Sequence, residues 1–285
     1  MFRDFLDGDE LRLAAEIIGS IDQGERWIFL GAEGATEFEG FIDRLFFRDG
    51  ETYGTYCASV FRGKVRIQLG FNTDLPEHAR PELLSLFSKA RSRVDGPASV
   101  WYPPANTALD EFIFSGLPWK IRGHKTHELS FPDVVALKIA DLPQGFSIVP
   151  FEAKFLDDSC ALLDEALAHT FNDPRSAPFT RDKLEYADIW SEKARTGDCC
   201  LLLEGGQAAG MYILNGTEID IMAVAVRLQN RRLGSALLHA ARKHIVSTRN
   251  AQPHLYCIER NRDALRFYLR EGMAVTGHSG YGYME

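Results

Sequence analysis

Glu218-Ile219-Asp220-Ile221-Met222-Ala223-Val224-Ala225-Val226-Arg227-Leu228-Gln229-Asn230-Arg231-Arg232-Leu233-Gly234-Ser235-Ala236-Leu237-Leu238 is the stretch on which the fold turns. Its first nine residues are mostly apolar and read as a strand, Glu218–Val226. A turn rich in amide and guanidinium donors follows, and from Leu233 to Val246 apolar positions return at helical spacing. A helix N-terminus leaves backbone N–H groups unpaired and carries partial positive charge, so it can hold a pyrophosphate. Gly234 would let the backbone come close to such a group. An ordinary strand-to-helix turn has the same order of elements, so the neighbouring sequence has to decide between the two.

Downstream, His254–Ile258 reads as a strand, and Asp263–Arg270 as a short helix closed by Gly272. Short extended segments follow at Met273–Thr276 and Tyr281–Met284. Upstream, Asp157–Thr170 carries Cys160, Leu162, Leu163, Ala166 and Leu167 at helical spacing, and Arg181–Arg195 is a second helix. Cys199–Leu203 and Ala208–Leu214 flank Gly205-Gly206 as a hairpin should. This order gives an α/β class with a mixed, twisted sheet covered by helices on both faces.

The same order occurs earlier in the chain. Val65–Asn72 and Ile219–Val226 are both strand-like and lie 154 positions apart. At that offset Glu82–Phe87 falls on Ala236–Ala241, and one residue further Val100-Trp101-Tyr102 falls on Leu255-Tyr256-Cys257. Asn106 then meets Asn261, Phe112 meets Phe267 and, after another one-residue slip, Gly116 meets Gly272. An ordered series of this kind predicts a duplicated domain. The breaker cluster Asp141-Leu142-Pro143-Gln144-Gly145 is the expected joint, giving domains 1–142 and 143–285.

Gln229-Asn230-Arg231-Arg232-Leu233-Gly234, and the later Asn261-Arg262-Asp263-Ala264-Leu265-Arg266-Phe267-Tyr268-Leu269-Arg270-Glu271-Gly272-Met273, resemble two signatures of the GNAT superfamily of acyl-CoA-dependent N-acyltransferases. The first fits Gln/Arg-x-x-Gly-x-Gly/Ala after a strand, except that Arg232 stands where the first glycine is usual. The second fits Asn, Ala, an aromatic-Tyr pair, then Gly and an apolar residue.

The resemblance implies two tandem domains of this fold and acetyl-CoA as cosubstrate. Acetyl-CoA would enter where Glu218–Val226 and His254–Ile258 splay apart, its pantetheine pairing with backbone around Met222, Val224 and Val226. Backbone N–H groups of Gln229, Asn230, Arg231, Arg232, Leu233, Gly234 and Ser235 would hold the pyrophosphate, and Asn261 would contact the pantetheine. Tyr268 would protonate the departing thiolate, the alternative being a buried aromatic on a helix face with Ala264 and Phe267. Glu218 stands eleven residues before Gln229, where some members place a catalytic glutamate. Asp220, two residues on, shares its face in a regular strand, so either carboxylate is a candidate base. A solvated strand end or an ion pair is the alternative for both.

At the 154-residue offset Gln229–Gly234 falls on Leu75-Pro76-Glu77-His78-Ala79-Arg80, which has no glycine, one N–H fewer and added negative charge. Tyr268 falls on Ile113, which has no proton to give. The first domain therefore reads as a degenerate copy without acyl-CoA, packed against the working half.

Composition sets the remaining bounds. In 285 residues, 40 acids against 32 bases give a net charge of -8, which disfavours a nucleic-acid partner. Ten Lys/Arg and only two acids between Arg227 and Arg270 suggest a local anionic ligand, although a solvated helix face would also be basic. No apolar run reaches membrane-spanning length, and the N-terminus lacks the pattern of a signal peptide. Cys57, Cys160, Cys199, Cys200 and Cys257 show no metal-ligand spacing and read as buried thiols of a reducing cytoplasm. No metal is expected, and His124 and His278, each after a glycine, read as repeat geometry.

The expected activity is acetyl transfer from acetyl-CoA to a primary amine of a small molecule or peptide. A non-catalytic acyl-CoA sensor and a transferase of larger acyl groups are the alternatives. The chain would be a monomer or a homodimer.

Overall fold

The computed structural model describes residues 1–30, 38–61, 63–132, 142–170 and 175–284, so Asp141 of the expected joint lies outside the described residues. The chain forms two compact units, Leu129–Val275 and Met1–Glu128 joined by the segment from Thr276 onward.

The first unit contains β1 (Phe2–Arg3), α1 (Gly8–Ile21), α2 (Trp27–Leu30), β2 (Phe38–Asp49), β3 (Thr52–Phe61) and β4 (Lys64–Phe71). It continues with α3 (Arg80–Arg91), β5 (Ala98–Tyr102), α4 (Thr107–Glu111) and β6 (Ile121–Ser130), whose last two residues belong to the second unit. The second unit contains β7 (Phe146–Pro150), α5 (Leu156–Leu167), α6 (Pro178–Arg181), α7 (Lys183–Arg195), β8 (Cys199–Glu204) and β9 (Gln207–Asn215). After these come β10 (Glu218–Val224), α8 (Leu233–Arg249), β11 (His254–Ile258) and α9 (Arg262–Arg270), and then β12 (Ala274–Met284), which belongs to the first unit from Thr276 onward.

Strand order in the second unit is β11-β10-β9-β8-β7, with β10 and β11 parallel and the other pairs antiparallel. Gly205 and Gly206, at φ of 57° and 88°, turn the β8–β9 hairpin in the left-handed conformation that the strand twist favours. Helix α8 lies on this sheet through Leu233, Leu237, Ala241 and Ile245, all fully buried at four-residue spacing. It comes so close at Gly210 that a Cβ there would sit 3.0 Å from Leu237 Cδ1 and 2.8 Å from Ala223 O. Truncating one such leucine to alanine would cost about 2–5 kcal/mol.

The first unit repeats this order. Its strands run β1-β2-β3-β4-β5-β12-β6, with β4 and β5 parallel, and its core includes Ile67, Leu69, Leu83, Phe87 and Val100. Asn106 caps α4 by accepting from Leu109 N, as Asn261 caps α9 by accepting from Ala264 N. The two asparagines that meet in the sequence comparison therefore do the same local work.

The units divide at Glu128/Leu129 rather than at the expected 142/143, and the boundaries differ again at the C-terminus, where the segment from Thr276 onward belongs to the first unit. Gly280–Met284 pairs antiparallel with Ala98–Tyr102, which puts the terminal strand with the first unit. A terminal strand's choice of edge is a non-local matter that periodicity does not encode. The expected pair of short segments is also one strand, β12. Its glycines allow close approach rather than turns: a Cβ on Gly280 would meet the Tyr102 ring at 2.2 Å.

Candidate functional site

Strands β10 and β11 share one parallel register among the described residues, Glu218 with His254, and then part. Val224 pairs with Gly210, and Ala225 N donates to Ala209 O on the β9 side at 2.9 Å. Ladder geometry alternates, so the main-chain groups of Met222 and Val224 face the other, open edge. A cleft of about 990 Å³ occupies this opening, lined among others by Met222, Val224, Gln229, Gly234, Ser235, Asn261 and Tyr268.

The loop at the cleft's end is built to leave donors free. Asn230 and Arg232 take left-handed φ values of 62° and 63°. Arg232 thus keeps the backbone that a glycine would adopt more readily, at a cost of about 1–2 kcal/mol for an L side chain. Arg232 precedes α8 without any side-chain cap, so the N–H groups of Leu233, Gly234 and Ser235 have no intrahelical partner. Gln229 differs from its expected role, because its N–H is spent on Val226 O at 3.2 Å and its Nε2 donates to Val224 O at 3.3 Å. The expected strand also ends at Val224, and Val226 lies in a 3₁₀ turn through Leu228. Gly234 has a packing reason of its own, since a Cβ there would stand 3.3 Å from the Phe267 ring.

Helix α9 forms the facing wall. Asn261 Oδ1 is committed to its cap, and Gly272, at φ 99°, closes the helix as predicted. Tyr268 sits half-buried in the cleft lining, and its hydroxyl makes no hydrogen bond to a described residue. Burial, and then the Cys257 thiol, raise its pKa above the ordinary phenol value, so the hydroxyl keeps its proton.

The two candidate carboxylates are not among the residues that line the cleft. Glu218 lies where β10 and β11 still pair, roughly 13 Å along the strand from Met222. Asp220 does not continue a regular strand with it. The β9–β10 register shifts between Ile219 and Ile221, leaving Asp220 as the extra residue of a β-bulge, which re-aims its side chain. Its edge is open to solvent, while the protein around it raises the carboxyl pKa against the opposing pull of Lys193.

Glu165 and His169, from the end of α5 and the turn after it, also line the cleft. Sequence reasoning passed over them because helical spacing shows which residues are buried but not which exposed ones border a cavity. The basic segment divides. Arg227 and Arg231 bind Glu204, Arg249 binds Asp198, and Arg242 is fully buried over the Phe131 ring. Arg232 and Arg262 line the cleft and have no side-chain partner among the described residues. All five cysteines are free and buried, and burial pushes the Cys257 thiol up to about 11. Among the described residues no group of three or more His, Cys, Asp or Glu converges as a metal site, and no helix is long and apolar enough to cross a membrane.

Residues 164–273, which include the cleft, match the family described as Acetyltransferase (GNAT). This segment is a GNAT acetyltransferase domain. Such a domain belongs to acyl-CoA-dependent N-acyltransferases. Solved structures extend the likeness beyond the GNAT domain itself. A GCN5-related N-acetyltransferase from Sphaerobacter thermophilus is 14% identical, with a TM-score of 0.57 over 100% of this chain and 95% of that one. A tandem GNAT protein from the clavulanic acid biosynthesis pathway is 12% identical, with a TM-score of 0.52 over 100% and 98%. At these identities the shared property is the fold. No curated protein matches the chain.

Proposed function

We propose that the GNAT domain transfers an acetyl group from acetyl-CoA to a primary amine of a small molecule or peptide, by direct attack in a ternary complex. The observation that carries this reading is one cleft that combines the open main-chain edge at Met222 and Val224, the uncapped N-terminus of α8 and a Tyr268 hydroxyl without a hydrogen-bond partner among the described residues.

In the proposed reaction the N–H groups at Leu233, Gly234 and Ser235 hold the pyrophosphate, with Asn230, Arg231 and Arg232 around them. The pantetheine pairs along Met222 and Val224 and passes Asn261. The amine lone pair attacks the thioester carbon, and a backbone N–H near Met222–Val224 stabilises the oxyanion. As the tetrahedral species collapses, the C–S bond breaks with its electron pair going to sulfur, and Tyr268 donates its proton there. The proton lost by the amine goes to Asp220, directly or through water. Asp220 is preferred to Glu218 because it lies nearer the cleft-lining stretch of β10 and carries the raised pKa. Both acids favour a cationic amine.

We further propose that the chain is a tandem duplication whose first unit holds no acyl-CoA. Strands β4 and β5 stay paired over four registers, Val65–Gln68 with Ala98–Trp101, and Ile113 stands at the counterpart of Tyr268. The test is release of free thiol from acetyl-CoA with a panel of amines. Tyr268→Phe should lower turnover about 10²-fold with unchanged acetyl-CoA affinity. An unaffected rate would remove Tyr268 from the chemistry, and the absence of amine-dependent release with intact binding would favour a sensor.

A further inference from the structure

We propose that Glu271 is a positioning residue of the acyl-CoA site, a clamp that holds the first turn of α8 against the end of α9. The inference rests on the acyl-CoA reading for its purpose, and on contacts within the second unit for its geometry.

Ser235 and His239 lie one turn apart on the same face of α8. Ser235 Oγ donates to Glu271 Oε1 at 2.8 Å, and His239 Nε2 lies 3.3 Å from Glu271 Oε2. One carboxylate thus takes both residues at once. It is well enclosed, with 12% of its side chain exposed, against 6% for His239. Glu271 also sits on a fixed backbone. It is the C-cap of α9, followed by a closed turn in which Gly272 N donates to Leu269 O and Met273 N donates to Tyr268 O, both at 3.1 Å. The turn that anchors Glu271 therefore also anchors the main chain of Tyr268. Through this bridge the end of α8 that offers N–H groups to an anion is tied to the helix that carries the tyrosine.

Two features argue against simple filling of space. His239 Nδ1 is buried without a hydrogen-bond partner among the described residues, a cost that an apolar residue at 239 would avoid. Glu271 also brings negative charge to the turn proposed to hold a pyrophosphate, where charge alone would disfavour it. Arg270, 3.4 Å from Oε1, offsets part of that charge. An acid at this position is explained by what it holds in place. The bridge has a further consequence: the Ser235 hydroxyl hydrogen is used on Glu271, which leaves the Ser235 main-chain N–H for the phosphate.

The test compares Glu271→Ala and Glu271→Gln with the unaltered full-length chain, by acetyl-CoA calorimetry and by amide hydrogen exchange without ligand. Glu271→Ala should weaken acetyl-CoA at least tenfold and speed exchange both at 233–237 and at 262–270. Glu271→Gln still accepts from Ser235 and should stay within twofold on both counts. Tighter binding in both variants would mean that only charge matters, and would overturn the clamp. A lower Tm with unchanged affinity and unchanged exchange at 233–237 would mean a merely structural residue, and would overturn it equally. If the unaltered chain bound no acetyl-CoA, the acyl-CoA reading would fail, and the exchange comparison would still decide whether Glu271 joins the two helices.

Discussion

Glu218 faces His254 in the single parallel register that β10 and β11 share among the described residues. Beyond it the facing edges part, and among the described residues the main-chain groups of Met222 and Val224 have no strand partner there, Val224 O accepting only from the Gln229 side chain. Buried backbone groups are nearly always paired, so such an edge awaits either water or a ligand that supplies hydrogen bonds. The amides of Met222 and Val224 should exchange quickly in the free protein and slow at least tenfold when acetyl-CoA binds. Those of Ile67 and Leu69 on β4 should not change. Equal protection on both strands would contradict the assignment of the site to the second unit alone.

Arg232 holds a left-handed backbone conformation at φ 63°. Arg232→Gly removes the steric strain and gives back part of the gain as greater freedom in the unfolded chain, leaving a net stabilisation of about 0.5–1 kcal/mol. Urea unfolding measures this directly. The same variant should bind acetyl-CoA more weakly at low salt, since a cleft-lining cation has gone.

The Asp220 carboxyl, although solvent-exposed, has its pKa raised from the ordinary value by desolvation from nearby protein, with Lys193 pulling the other way. A base works when ionised, so turnover should rise with pH through that elevated value. Asp220→Asn should lose this acid limb and about 10²-fold of turnover. A variant with an unchanged pH–rate profile would show that the amine arrives neutral or that another group takes its proton.

Burial, and then Asp22, push the Glu128 carboxyl up to about 7 from its ordinary 4.5. Its Oε2 has no hydrogen-bond partner among the described residues, and the residue is 4% exposed. A raised acid pKa favours the fold while the group is protonated. That contribution is present below pH 4.5 and is lost as pH rises through about 7, a change of up to about 3 kcal/mol. Glu128→Gln should accordingly raise the Tm at pH 8 and leave it nearly unchanged at pH 4. A gain of the same size at both would mean that ionisation is not the cause.

Much of the second unit was legible in the sequence because its periods are clean. His254–Ile258 is the predicted strand, the Gly205-Gly206 hairpin turn is where it was expected, and α9 starts within one residue of Asp263. Tyr268, Asn261, Met222 and Gly234 were found by motif, and they share one cleft. What failed was what local pattern does not carry. The bulge at Asp220 is a property of β9 and β10 together, so alternation within one strand did not foresee the register shift that separates it from Glu218. The glycines of β12 read as breaks because their reason, the Tyr102 ring and the Glu128 carboxylate, lies far away in sequence. Glu271 escaped notice for the same cause, since its partners Ser235 and His239 precede it by more than thirty residues.

Calorimetric titration of acetyl-CoA into the intact protein and into Gly234→Asp tests the central claim most directly. Aspartate at 234 would set a carboxylate beside the free N–H groups of α8 and press a side chain on the Phe267 ring. The account predicts one site per chain, absent in the variant. Two sites, or one that survives Gly234→Asp unchanged, would contradict it.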